Sequence, residues 1–330
     1  MDPFVPVFRN PHLLTIAGNY WPRGLDERSF PVTARLFQTE PNVQVLVHSQ
    51  FPADDHRAGE IIIVHGLEGS SAAGYARSLA RAALQAGYAV HRFNMRSCGG
   101  TESVCGDTLY HSGQTSDLLS VIQQIHSAES LHQLFLIGFS LGGNVVLKLA
   151  GELGEQARDL ISAIAAVSTP IDLAACVRML DKPSNRLYAR RFVARLKERV
   201  RAKERLTPGL FDLMSLGRVK TVYEFDDKFT ARSFAFGTAD NYYATQSSNQ
   251  FLERIRIPAL LVQAKDDPMI PFEVYEHPAF SRNPWLRLLA VDHGGHLGFI
   301  SRRKPRLWLD GVLLEWLAEA RNKVAADLVL

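Results

Sequence analysis

The sequence predicts an α/β protein: a mostly parallel sheet of about eight strands, helices on both faces, and a helical segment inserted late in the chain. Three observations carry that expectation. Short continuous apolar runs at 61–64, 89–93, 134–139, 161–167, 259–263 and 286–291 are the pattern of strands buried on both faces. Helical patterns separate the first four of these runs, and strands alternating with helices specify parallel pairing with right-handed crossovers. At 330 residues, with 46% apolar and 22% charged residues, the chain suits one such domain over 1–330.

Taken in order, the segment 1–28 mixes Pro, Asn and aromatic residues without a clean period and reads as an irregular arm. The runs 33–37 and 43–48 flank Pro41-Asn42, a turn signal, and read as an antiparallel pair. After the strand at 61–64 comes the Gly-rich stretch His65-Gly66-Leu67-Glu68-Gly69-Ser70-Ser71, then a helix over 75–86 ended by Gly87. The strand at 89–93 leads into a loop over 94–100. A helix follows over 114–128, with Thr115 or Ser116 as its cap and Asp117 placed against the helix dipole. A helix over 144–150 follows the strand at 134–139. From 170 to 249 the alternation is lost, and this stretch reads as an inserted helical cap. Its basic part, 178–205, carries Tyr188, Phe192, Leu196 and Val200 at i, i+4 spacing on an inward face. The cationic face reads either as a solvated helix surface, which basic runs usually are, or as an attractor of anionic substrates or a membrane surface. The aromatics over 225–243 either line a site or dock the insertion. An amphipathic helix over 308–320 closes the chain.

A net charge of +3 argues against a nucleic-acid partner. Three cysteines, Cys98, Cys105 and Cys176, do not suggest a disulfide framework, and neither CxxC nor HExxH occurs to suggest a metal. Met1-Asp2-Pro3 lacks the basic start of a signal peptide, and no apolar run reaches the length of a membrane span. A reducing, cytoplasmic compartment is the expectation.

The chemistry centres on Gly138-Phe139-Ser140-Leu141-Gly142, a G-x-S-x-G between a strand and a helix. A chain that turns from strand to helix in so few residues crowds its own backbone, so glycines flank the serine and its hydroxyl is lifted above the sheet. Ser140 is therefore the candidate nucleophile. A serine hydroxyl needs a base, and the base needs an acceptor on its other nitrogen. Two late loops supply both. Asp266-Asp267-Pro268-Met269-Ile270-Pro271 offers two carboxylates; D-x-x-[VI]-P spacing favours Asp267, leaving Asp266 to hold the loop backbone. Asp292-His293-Gly294-Gly295-His296 offers two imidazoles, and the glycines favour His296 over His293 as the one carried to the serine. The order Ser, Asp, His, each after a strand, fits one site. Backbone N–H groups of Leu141 and Leu67 are the candidate oxyanion donors, and His65 is expected to brace its loop. No phosphate-cradle motif G-x-x-x-x-G-K-[ST] is present.

With these residues in place the chain resembles the α/β-hydrolase superfamily, and more narrowly the YheT-like esterases, bacterial relatives of the ABHD1/ABHD3-type lipid hydrolases. The resemblance spans nearly the whole chain. It rests on Asn10-Pro11-His12-Leu13, on the stretch from His65 to Ser71, on the loop from Asn94 to Gly100, and on Tyr110-His111-Ser112-Gly113. It rests further on Gly138 through Asn144, Tyr242-Tyr243, Asp266-Asp267-Pro268, and His293 through Phe299. By that similarity the fold is an α/β-hydrolase fold with Ser140 as nucleophile, Asp267 as acid and His296 as base. It implies hydrolysis of carboxylic esters with short- to medium-chain acyl or lipid-like groups, without a cofactor. An acyltransferase or thioesterase would use the same three residues. A non-catalytic binding protein on the same scaffold would not require them together.

Overall fold

One eight-stranded sheet forms among the residues that the computed structural model describes, 3–53, 57–128 and 133–327. Met1 and Asp2, on which the signal-peptide expectation partly rests, lie outside the described residues. The strands are β1 (Thr33–Glu40), β2 (Val43–Gln50), β3 (Gly59–Val64), β4 (Tyr88–Phe93), β5 (Leu134–Phe139), β6 (Ala163–Val167), β7 (Ala259–Ala264) and β8 (Leu286–Val291). Their order across the sheet is β1-β2-β4-β3-β5-β6-β7-β8. β2 pairs antiparallel with β1 and β4, and every other pairing is parallel.

The continuous apolar runs follow from burial on both faces. Ile62, Val64, Leu134 and Leu136 point into one core with the helices α3 (Thr115–Ala128) and α4 (Leu141–Leu153). Ile61, Ile63, Phe135 and Ile137 point into the other, against α2 (Gly74–Gln85) and the closing helix Trp308–Asp327. With neither face in water, the two-residue period carries no polar partner to reveal it. Each such fully buried side chain contributes about 1.5–3 kcal/mol.

Register then brings the functional loops together. In the β3–β5 pair Val64 lies opposite Gly138, so the loop after β3 emerges beside Ser140. In the β7–β8 pair Ala264 lies opposite Val291, so the two loops bearing the aspartates and histidines leave the sheet as neighbours. All of them sit at the carboxyl ends of parallel strands, where such sheets bind ligands.

One expectation is corrected. The arm over 1–28 is not wholly irregular, because it contains a helix, α1 (Pro11–Tyr20). Asn10 caps it, accepting from the His12 and Leu13 N–H groups at 2.9 and 3.1 Å, and Pro11 supplies the first turn. Its inward stripe is Leu14, Thr15 and Gly18, while apolar Leu13, Ile16 and Tyr20 face outward. That arrangement inverts the pattern by which a surface helix is read from sequence. The basic stretch 178–205, read as helical, is divided between two helices. After β6 come α5 (Leu173–Leu180) and α6 (Arg186–Leu206), separated where Pro183 withholds an N–H. Asn185 fixes the break by donating to Met179 O at 2.8 Å and to Pro268 O at 2.6 Å.

Candidate active site

Ser140 sits at the end of β5 with φ +51° and ψ −120°, and α4 starts at the next residue. A side chain held there costs about 1–3 kcal/mol and persists only because its surroundings over-determine it. A Cβ on Gly138 would lie 2.3 Å from Gly142 O, and one on Gly142 would lie 2.4 Å from Val64 O. Backbone stands too close on both sides for any residue but glycine.

Ser140, His296 and Asp267 form one hydrogen-bonded series. His296 Nε2 lies 3.0 Å from Ser140 Oγ, and His296 Nδ1 lies 2.9 Å from Asp267 Oδ2. Because ionised Asp267 can only accept, Nδ1 carries the proton and Nε2 is free to accept from the serine hydroxyl. Asp267 is 3% exposed and is held by further donors: the Met269 and Ile270 N–H groups at 2.9 and 3.2 Å, and Gln263 Nε2 at 3.3 Å. The neighbouring Asp266 turns elsewhere. It accepts from the Gly295 N–H at 2.9 Å and lies 3.1 Å from His293 Nδ1. The structure thus brings Asp267 and His296 to the serine, while Asp266 and His293 brace the loop.

Leu67, in the loop after β3, and Leu141, at the start of α4, line the same cavity as Ser140. Leu141 opens α4, so its N–H has no carbonyl one turn earlier to bond. The Leu67 N–H has no partner among the described residues. The loop carrying it is braced throughout. Gly66 N–H donates to Tyr75 OH at 2.9 Å, and Glu68 N–H donates to Tyr110 OH at 2.9 Å. His65 is spent on bracing too: Nδ1 donates to Gly66 O at 2.8 Å and Nε2 accepts from Met95 N–H at 3.2 Å. Burial pushes its pKa down to about 4, which keeps the ring neutral. His111, which lines the cavity beside Ser140, is pushed down to about 3 by burial and then by Lys148 and Arg96.

Two cavities meet at the serine, sharing Leu67, Ser140, Phe192, Met269 and His296 in their walls. One runs under the insertion and is lined mostly by apolar groups such as Leu173, Val177, Leu196 and Phe225. The other, larger one runs between α1, the 66–75 loop and α6, past Ile16, Tyr20, Tyr188, Arg191 and Arg195. The aromatics over 225–243 therefore divide. Phe225, Tyr242 and Tyr243 line the first cavity, and Phe229 packs against Phe211, earlier in the insertion. Asp226 is the acidic residue in that wall. Burial pushes its carboxyl up to about 6, opposed by hydrogen bonds from the Tyr243 and Thr230 hydroxyls, each at 2.7 Å.

Sequence reasoning missed three supports. Thr15 Oγ1 accepts from the His296 N–H at 2.9 Å while donating to Pro11 O, tying the imidazole loop to α1. Tyr75 packs on Phe139, with ring centroids 4.5 Å apart. Arg199, on α6, forks onto both oxygens of Glu68 at 2.7 and 2.8 Å. Asn10-Pro11, a cap followed by a first-turn proline, was a signal for α1; the Glu68–Arg199 pair spans 131 positions and has no local signal. Cys98, Cys105 and Cys176 are free and buried, and no cluster of three or more metal-ligating side chains occurs among the described residues.

The chain belongs to the alpha/beta hydrolase fold family, whose model matches residues 60–302. It is 32% identical to the Escherichia coli (strain K12) protein named “Putative esterase YheT” over 95% of this chain and 92% of that one. It is also 28% identical to the mouse (Mus musculus) protein named “Phospholipase ABHD3”, over 78% of this chain but only 62% of that longer relative. Among solved structures, the Pyrococcus furiosus esterase Pf2001 superposes with a TM-score of 0.58 at 18% identity, covering 97% of this chain and 99% of that one, a likeness of fold.

Proposed function

We propose that this protein hydrolyses carboxylic esters through an acyl-enzyme on Ser140. The observation that carries the reading is the unbroken series from Ser140 Oγ through His296 to Asp267, opening onto two cavities. His296 Nε2 takes the hydroxyl proton as Ser140 Oγ attacks the ester carbonyl. The Leu67 and Leu141 N–H groups receive the negative charge on the carbonyl oxygen, each worth about 10²–10³ in rate. The tetrahedral species collapses with the proton passing from His296 Nε2 to the leaving alcohol. Water, deprotonated by the same nitrogen, then releases the acid and restores the serine. Asp267 holds the tautomer and stabilises the imidazolium throughout.

The helical segment 170–249 acts in this reading as a cap whose apolar inner surface takes the acyl chain, and the alcohol leaves along the α1 side. Short- to medium-chain and lipid-like acyl groups suit the apolar cavity, and the names of the esterase and phospholipase relatives accord with that choice. Labelling by a serine-directed fluorophosphonate and turnover of short p-nitrophenyl esters test it. Both are expected in the wild type and lost in Ser140→Ala. A wild type that neither labels nor turns over ester overturns the reading.

A further inference from the structure

The outward stripe of α1 is unusual. Leu13, Ile16 and Tyr20 lie at i, i+3 and i+7 and are 51%, 49% and 70% exposed, and α1 carries no Asp, Glu, Lys or Arg. Single exposed apolar residues are ordinary, but an apolar stripe along an uncharged helix is a surface that something covers. α6 extends this surface. The His12 and Tyr188 rings stack at 5.8 Å, and Arg191 donates to Tyr20 OH at 3.5 Å. Leu187, at the start of α6, is 78% exposed.

Beside these apolar groups lies a block of positive charge. Arg186, Arg190, Arg191 and Arg195 are exposed, form no ion pair among the described residues, and have no acidic residue between them in the chain. The larger cavity, walled by Ile16, Tyr20, Arg191 and Arg195, runs from this surface to Ser140.

From this combination we propose that α1 and the first half of α6 dock the protein on an anionic lipid bilayer, with the mouth of the Ser140 cavity facing the membrane. A second copy of this chain is a poor occupant, because self-docking would set one arginine block against another. A bilayer offers an anionic plane for the arginines and a hydrocarbon boundary for Leu13, Ile16, Tyr20 and Leu187 in one body. It needs no complementary shape. The proposal goes beyond ester hydrolysis and depends on binding alone.

The test is co-sedimentation of the full chain with phosphatidylcholine vesicles, with and without about one-third phosphatidylglycerol, at low and high salt. Binding to the anionic vesicles at low salt and its loss at high salt are expected. Arg186→Gln with Arg190→Gln should weaken it roughly thirtyfold, at about 1 kcal/mol per charge. Leu13→Gln with Leu187→Gln should weaken it at least about tenfold by removing apolar insertion. None of these four side chains lines either cavity, so thermal unfolding and turnover of a water-soluble ester should match wild type and control for folding. Equal sedimentation with neutral and anionic vesicles overturns the proposal. So does wild type that stays in the supernatant, or a dimer in sedimentation velocity that Leu13→Gln with Leu187→Gln dissolves. Because the readout is sedimentation, failure here leaves the chemistry at Ser140 untouched, and failure of that chemistry leaves this result standing.

Discussion

Replacing Arg199 with Met tests how the insertion is joined to the catalytic loops. Arg199 Nε and Nη2 bond the two oxygens of Glu68, with 9% and 3% of the respective side chains exposed. Tyr110 completes the cluster: its OH donates to Glu68 Oε1 at 3.1 Å, and the guanidinium lies 5.1 Å from its ring centre. Glu68 itself has φ +56°, a left-handed conformation that a non-glycine residue holds only when its neighbours insist. Arg199→Met strands a buried carboxylate, which costs about 3–5 kcal/mol. Tyr110 still donates, so the low end applies, about 3 kcal/mol or roughly 4 °C in Tm for a chain of this size. Glu68→Gln alone strands the guanidinium and should cost a similar amount. The double variant leaves no orphan charge and should recover most of the loss, a coupling of about 4–5 kcal/mol. Urea unfolding of the four proteins measures it.

Activity should not recover in parallel. Leu67 precedes Glu68, so loosening Glu68 moves a candidate oxyanion donor. Turnover of a soluble ester should fall about tenfold or more in kcat, with KM less affected, in both Arg199→Met and the double variant. Free energies that add to within about 0.5 kcal/mol would refute the coupling. An unchanged kcat in Arg199→Met would refute the positioning role.

Further expectations concern single sites. Asp267→Asn should lower kcat by about 10⁴, as loss of the orienting carboxylate does, whereas Asp266→Asn should cost about tenfold; the reverse ranking in ester turnover would reassign the acid. Thr15→Val removes the acceptor for the His296 N–H and should lower kcat several-fold, roughly the worth of one hydrogen bond, with labelling by fluorophosphonate slowed in step. Gly142→Ala drives a methyl to 2.4 Å from Val64 O and 2.5 Å from His65 O, and should destabilise by about 3 kcal/mol in denaturant titrations. His65 supplies a pH signature. Its folded pKa, about 4, lies below the unfolded value, so the unfolded chain binds the extra proton and stability falls as pH drops from about 6.5 toward 4. The stability advantage of wild type over His65→Asn should shrink by about 3 kcal/mol between pH 8 and pH 4; a constant gap would show that the folded ring takes up its proton as readily as the unfolded chain does.

Much of this molecule is legible locally. The strands β3 and β5, the G-x-S-x-G turn and the order of Ser140, Asp267 and His296 are written in stretches of a few residues. Burial on both faces forces continuous apolar runs, and backbone crowding forces Gly138 and Gly142. The helix α1 escaped because its inward stripe is small or polar and its outward stripe apolar, so no period distinguishes it from an irregular arm.

The sequence alone determined the sheet, the sharp turn and the menu of reacting groups, because these depend on period and on atoms close along the chain. The tertiary structure decided which of two adjacent carboxylates meets His296. That choice lies in how residues 266–270 turn: the Met269 and Ile270 N–H groups draw Asp267 inward and the Gly295 N–H draws Asp266 away. It also decided that Arg199 reaches Glu68 and that Thr15 reaches His296, across 131 and 281 positions. Pairings at such distances depend on the path of the whole chain, and no local pattern of residues carries them.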